Sequence, residues 1–213
     1  MRRPRDRAAV RAPSVLAARS PAAMEAFLVS TGVVAIGEIG DKTQLLSLVL
    51  AARFRRPWPI VAGILVATLA NHALAGWIGN WVHGVVPADV LRWLLAASFF
   101  AVALWALKPD TFDEDDAKAP KGWGVFGVTA VAFFLAEMGD KTQVATVMLA
   151  AKFASLPAVV LGTTLGMLLA NVPVVFAGKL AADRVPFTAI RIVAAAIFAA
   201  IGLWVLVAGI PGG

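Results

Sequence analysis

An acidic motif set inside an apolar segment, and written twice, constrains this chain more than any other feature. Residues 37–44 read Gly37-Glu38-Ile39-Gly40-Asp41-Lys42-Thr43-Gln44, and residues 136–143 read Ala136-Glu137-Met138-Gly139-Asp140-Lys141-Thr142-Gln143. The copies stand 99 positions apart. Each lies in a long run of apolar residues, where an Asp at a membrane-helix centre costs about 2.5–3.5 kcal/mol on insertion scales. The same costly residues in the same order, twice, mark a function rather than drift.

The rest of the chain is what such a pair needs around it. Of its 213 residues 60% are hydrophobic and 15% charged, against roughly a quarter charged in soluble domains. The chain therefore reads as an all-α integral membrane protein. Six apolar spans, each near the ~20 residues that cross a bilayer, are expected at about 25–50, 58–82, 88–107, 124–150, 157–181 and 187–209. Pro57, Pro87, Pro109, Pro157 and Pro186 fall at their boundaries, where helices start and stop. Trp58, Trp77, Trp81, Trp105, Trp123 and Trp204 lie near span ends, as indoles do at membrane interfaces.

The repeat runs beyond the motif. At the same offset Leu50-Ala51-Ala52-Arg53-Phe54 matches Leu149-Ala150-Ala151-Lys152-Phe153, Gly63 matches Gly162, and Val86-Pro87 matches Val185-Pro186. Arg92 matches Arg191, Phe99 matches Phe198 and Trp105 matches Trp204. Leu69-Ala70-Asn71 matches Leu169-Ala170-Asn171 after one extra residue. The expected organisation is a three-helix repeat over 24–107, an acidic connection over 108–121 and a second three-helix repeat over 122–213. Three is odd, so the second half must enter from the opposite side: an inverted repeat of the kind common in secondary transporters.

Residues 1–23 carry six Arg and one acid, Asp6, while the remainder has 13 basic and 12 acidic residues. The net charge of +6 is therefore mostly the tail's, and nucleic-acid binding has no support elsewhere. The tail has neither a span nor the apolar core of a signal peptide. It reads as a disordered arm, or as sequence upstream of a true start at Met24. From Met24 on, the basic residues Arg53, Arg55, Arg56, Lys108, Lys118, Lys121, Lys179 and Arg184 gather in the odd-numbered loops. That bias puts the 108–121 connection in the cytoplasm and both termini outside. The absence of cysteine excludes disulfides and thiolate metal sites.

On an unbroken helix Glu38, Asp41 and Lys42 share one face, as do Glu137, Asp140 and Lys141, while Thr43, Gln44, Thr142 and Gln143 turn away. Gly37, Gly40 and Gly139 admit a local break that would bring those four back. Inverted symmetry would gather Glu38, Asp41, Glu137 and Asp140 near the midplane, with amide oxygens from Asn71 and Asn171. Such oxygen donors, without thiolate, suit hard ions such as Ca²⁺, Mn²⁺ or Mg²⁺. Clustered buried carboxylates also repel one another, so protons compete with a metal for them. The plainer alternative is a pair of intrahelical ion pairs, Glu38–Lys42 and Glu137–Lys141, which leaves Asp41 and Asp140 without a reason. His72 could be a ligand or a proton carrier, although simple packing accounts for it; His83 reads as interfacial. The Asp113–Asp116 cluster reads as a solvated loop, and Gly63, Gly76, Gly162, Gly166 and Gly178 as helix-packing positions.

Twin E-x-G-D-K-[ST] motifs in a six-span inverted repeat resemble the Gdt-one family of cation/proton exchangers, from about Met24 onward. The resemblance implies that Glu38, Asp41, Glu137 and Asp140 bind the ion, with Thr43, Gln44, Thr142 and Gln143 as neighbours; Lys42 and Lys141 read as supporting charges that neutralise the empty site. It implies divalent-cation antiport against protons, in bacteria chiefly manganese export, by a multi-pass protein of the inner (plasma) membrane. The partners implied are Mn²⁺ or Ca²⁺, protons and the lipid bilayer, with no cofactor; a homo-oligomer is left open. The rival reading is an exporter of small organic cations such as basic amino acids, which would want a roomier, aromatic-lined pocket. A membrane enzyme would need a nucleophilic or metal-histidine constellation that the sequence does not display.

Overall fold

A computed structural model describes residues 21–108, 124–177 and 187–209. The first 20 residues of the arginine-rich arm, the acidic connection from Pro109 to Trp123, and the segment from Gly178 to Pro186 lie outside the described residues. Among the described residues there are eight helices and no strand. They are α1 (Pro21–Glu38), α2 (Lys42–Phe54), α3 (Pro57–Val85), α4 (Ala88–Ala106), α5 (Val125–Glu137), α6 (Lys141–Phe153), α7 (Leu156–Ala177) and α8 (Phe187–Ala208). The first helix thus starts three residues before Met24.

Two of the expected spans are not single helices. The run expected at 25–50 is α1 followed by α2, and the run expected at 124–150 is α5 followed by α6, each broken at its motif. The unbroken-helix geometry is therefore corrected, and the motif glycine is the reason. Gly40 has φ +83° and Gly139 φ +75°, the left-handed region that a side chain makes costly. Gly37, by contrast, is an ordinary helical residue, and its counterpart is Ala136. Past the glycine the chain restarts as a new helix, with Asp41 capping α2 and Asp140 capping α6. Each carboxylate accepts from the backbone N–H two residues on, at 3.5 and 3.4 Å.

α1, α3, α4, α7 and α8 are each long and apolar enough to cross a bilayer, and α5 is a shorter apolar helix. With α2 and α6 completing the broken spans, the six-span reading stands. Their outer faces carry large apolar side chains such as Trp58, Trp93, Leu104, Leu135 and Val207. Such a surface suits acyl chains rather than water.

The packing repeats under exchange of the two halves. α1 packs on α7 as α5 packs on α3, and α2 packs on α7 as α6 packs on α3; α3 meets α7 and α4 meets α8 across the pseudo-axis. The matched glycines lie at these contacts. A Cβ on Gly63 would fall 2.7 Å from Thr129 Cβ and 2.9 Å from Phe126 O. A Cβ on Gly162 would fall 2.5 Å from Phe27 O and 3.1 Å from Ser30 Cβ. Phe27 and Ser30 stand 99 positions before Phe126 and Thr129, so one close helix approach is built twice. The ends of α2 and α6 repeat as well, through left-handed Arg55 (φ +52°) and Ala154 (φ +48°).

Candidate metal site

The two helix breaks meet in the interior. Glu38 is the last residue of α1 and Glu137 the last of α5, and both are fully buried. Glu38, Glu137 and Asp140 each offer a carboxylate oxygen, and the three oxygens lie within 4.8 Å of one another. A divalent ion with ligand distances of about 2.0–2.6 Å holds its ligand atoms about 3–5 Å apart. The cluster therefore has the dimensions of one ion's coordination shell, drawn from both halves.

Asp41, the fourth expected acid, is buried but is not one of these three. Its carboxylate is ion-paired with Lys141 of the other half. The reciprocal pair, Lys42 Nζ to Asp140 Oδ1, is 3.5 Å. The intrahelical pairs Glu38–Lys42 and Glu137–Lys141 are thus replaced by two pairs that cross between motifs. Spacing couples residues along one helix, and the break removes that helix, so the lysines reach across instead.

The break also turns the threonines inward. Thr43 Oγ1 donates to Glu38 Oε2 at 2.5 Å, and Thr142 Oγ1 donates to Glu38 Oε1 from the other half. One carboxylate is therefore held at both oxygens by neutral donors. Neither oxygen of Glu137 has a hydrogen-bond partner. Buried and unpaired, it carries an unmet demand for a proton or a cation.

Gln44 and Gln143 brace the breaks. Gln44 Oε1 accepts from Gly40 N at 3.0 Å, and Gln143 Oε1 accepts from Gly139 N at 2.8 Å. Their amides then anchor to the neighbouring long helices. Gln44 donates to Ala170 O at 3.2 Å, and Gln143 donates to Asn71 Oδ1. Asn171 Oδ1 accepts from Ser47 Oγ at 2.8 Å, and Asn71 Nδ2 donates to Phe134 O at 3.4 Å. Both asparagine oxygens thus take hydrogen bonds from protein donors, and both residues tie a motif helix to the helix behind it. Ser47 was not singled out in the sequence; its hydroxyl counterpart 99 positions on, Thr146, is the signal that could have found it. His83, at the end of α3, lies 2.7 Å from Ala151 O through Nδ1, away from the cluster.

Comparison with known proteins places the chain in a family. The family model for the divalent cation/proton antiporter GDT1 matches residues 26–114 and again residues 125–212, one match to each half. A candidate manganese exporter of Vibrio cholerae is 52% identical over 176 residues, covering 82% of this chain and 87% of its own length. A GDT1-like protein of Synechocystis is 26% identical over 208 residues, covering 87% of this chain and all of its own. No solved structure matches at comparable significance. A chain with this doubled site, matched by the family model over nearly all its apolar length, belongs to the GDT1 family of divalent cation/proton antiporters.

Proposed function

We propose that the chain exports Mn²⁺ from the cytoplasm across the cell's inner (plasma) membrane in exchange for protons. The ion is carried by Glu38, Glu137, Asp140 and, in turn, Asp41. The observation that carries this reading is the cluster itself: three buried carboxylates from two halves with their oxygens within 4.8 Å, one of them without a single hydrogen-bond donor. Hard oxygen donors of this kind suit Mn²⁺ and also Ca²⁺. The name of the Vibrio relative supports manganese.

Charge counting supports exchange. Four motif carboxylates and two motif lysines carry a formal charge of −2 when all are ionised. One divalent cation, or two protons, neutralises it. A low-dielectric interior tolerates either occupant better than neither, so binding of the ion releases the protons and their return releases the ion. Coupling then needs no separate proton path.

The two halves, 24–107 and 122–213, act as the units that rock. In the structure Thr43 and Thr142 both serve Glu38, and Asp140 joins the cluster while Asp41 is tied to Lys141. Both crossed ion pairs are formed here, so inverted symmetry gives the opposite-facing state by exchange of the other roles: Glu137 held by the threonines and Asp41 in the cluster in place of Asp140. The described side chains that meet at the cluster are carboxylates, threonines and lysines, not the aromatic lining that a basic amino acid would want. The test is uptake into reconstituted vesicles with Mn²⁺, Ca²⁺, Mg²⁺ and lysine compared side by side. Mn²⁺ uptake lost in Glu38→Gln and Glu137→Gln is expected; lysine transport, or near-normal Mn²⁺ uptake in both variants, would overturn the reading.

A further inference from the structure

The two halves differ at a buried position of α3 that faces the cluster. His72, on α3, is fully buried, and its Nε2 lies 3.9 Å from Glu137 Oε2. The one-residue shift that aligns Asn71 with Asn171 puts Val172 at the equivalent place in the second half. Neither ring nitrogen of His72 has a hydrogen-bond partner, and neither oxygen of the facing Glu137 has one. A buried imidazole is expensive to leave unsatisfied, and the partly exposed Val172 carries no such demand in the second half. The 3.9 Å separation is too long for a hydrogen bond, but lies within the ~3–5 Å between two ligand atoms of one metal ion.

Resting on the divalent-cation reading above, we propose that His72 is a ligand of the transported ion. Its imidazole nitrogen joins Glu137 at the edge of the carboxylate cluster and turns an all-oxygen site into a mixed nitrogen–oxygen one. The consequence is selectivity. Mn²⁺ is chiefly an oxygen-binding ion, but as a first-row transition ion it accepts an imidazole nitrogen beside carboxylates, whereas Ca²⁺ and Mg²⁺ take oxygen donors almost exclusively. A single nitrogen beside three carboxylates therefore favours Mn²⁺ over the far more abundant alkaline-earth ions, which the carboxylates alone would accept.

The chain has only two histidines, and the other, His83, hydrogen-bonds a backbone carbonyl away from the cluster. The assignment is therefore open to a direct spectroscopic test on the unaltered protein. Purified protein loaded with one equivalent of Mn²⁺ is expected to show the nitrogen modulation of a coordinated imidazole in pulsed electron paramagnetic resonance. That modulation should persist in His83→Asn and vanish in His72→Val. In the same variants, calorimetric titration should show Mn²⁺ affinity falling by about tenfold or more in His72→Val while Ca²⁺ affinity stays nearly constant. Bound Mn²⁺ with no imidazole coupling in the unaltered protein would overturn the role of His72 and leave the carboxylate site intact. Coupling that survives His72→Val would also overturn it. Failure of the unaltered protein to bind Mn²⁺ at all would overturn the underlying reading and this proposal with it.

Discussion

Thr142→Val removes one hydroxyl and little else, and the structure fixes what that hydroxyl does. It donates from the second motif to Glu38 Oε1 of the first, in a pocket closed to solvent at both residues. A hydrogen bond to a charged group contributes about 1.5–3 kcal/mol. At 1.4 kcal/mol per factor of ten, its loss corresponds to roughly ten- to hundredfold in ion affinity, the range typical for groups that orient metal ligands. Thr43 still holds the other oxygen at 2.5 Å, so the lower end of that range is expected for Thr142→Val. Losing both hydroxyls should reach the upper end. Thr142→Ser keeps the donor and should bind as the unaltered protein does. Thr146→Val is the control, because that hydroxyl only bonds back to Thr142 O within its own helix at 2.9 Å. The assay is calorimetric titration of purified protein with Mn²⁺. Unchanged affinity in the double variant would refute the view that the crossed threonines position Glu38.

Further outcomes follow from the backbone, the packing and the crossed ion pairs. Gly139→Ala places a Cβ in open space but at φ +75°, so it should cost about 1–2 kcal/mol from backbone strain alone. Ala154→Gly, which relieves φ +48°, should gain up to about 1 kcal/mol; thermal unfolding in detergent that shows the reverse order would contradict both. Gly162→Ala, whose Cβ would sit 2.5 Å from Phe27 O, should lower stability by about 1–3 kcal/mol. Gly32→Ala, with nothing within 4 Å of its Cβ, should be silent in the same unfolding measurement. Lys141→Met removes the cross-motif ion pair of the buried Asp41 carboxylate and should cost about 3–5 kcal/mol. Adding Asp41→Asn should restore the unfolding temperature without restoring Mn²⁺ transport; restored transport would mean that the pair is only structural.

Much of this fold was written in the residues, because a membrane repeat leaves a strong signal. Apolar runs of fixed length fix the spans, and the 99-residue offset pairs Gly63 with Gly162 at equivalent helix contacts. The breaks were only half legible. Gly37 and Gly40 looked alike as helix breakers, and only the backbone shows that the second takes the left-handed turn while the first stays helical. The partners of Lys42 and Lys141 were not legible, since helical spacing pairs each lysine with its own glutamate and only the meeting of two breaks offers the other half's aspartate. The unequal treatment of Glu38 and Glu137 has no trace in the motifs, which match at every polar position. His72 was visible as an oddity, but its neighbour Glu137 comes from a different helix 65 residues on.

Proton coupling is the claim on which the rest depends, and one vesicle measurement addresses it. Protein reconstituted into vesicles that are acidic inside, with Mn²⁺ at equal concentration on both sides, should accumulate the ion inside as protons leave. Internal pH, read by a trapped dye, should rise in step with Mn²⁺ entry, and a protonophore should abolish the accumulation. Because the site's formal charge of −2 matches one Mn²⁺ or two protons, clamping the membrane potential with valinomycin should leave the rate unchanged. Mn²⁺ entry that ignores the pH gradient and the protonophore would contradict exchange and leave a uniporter.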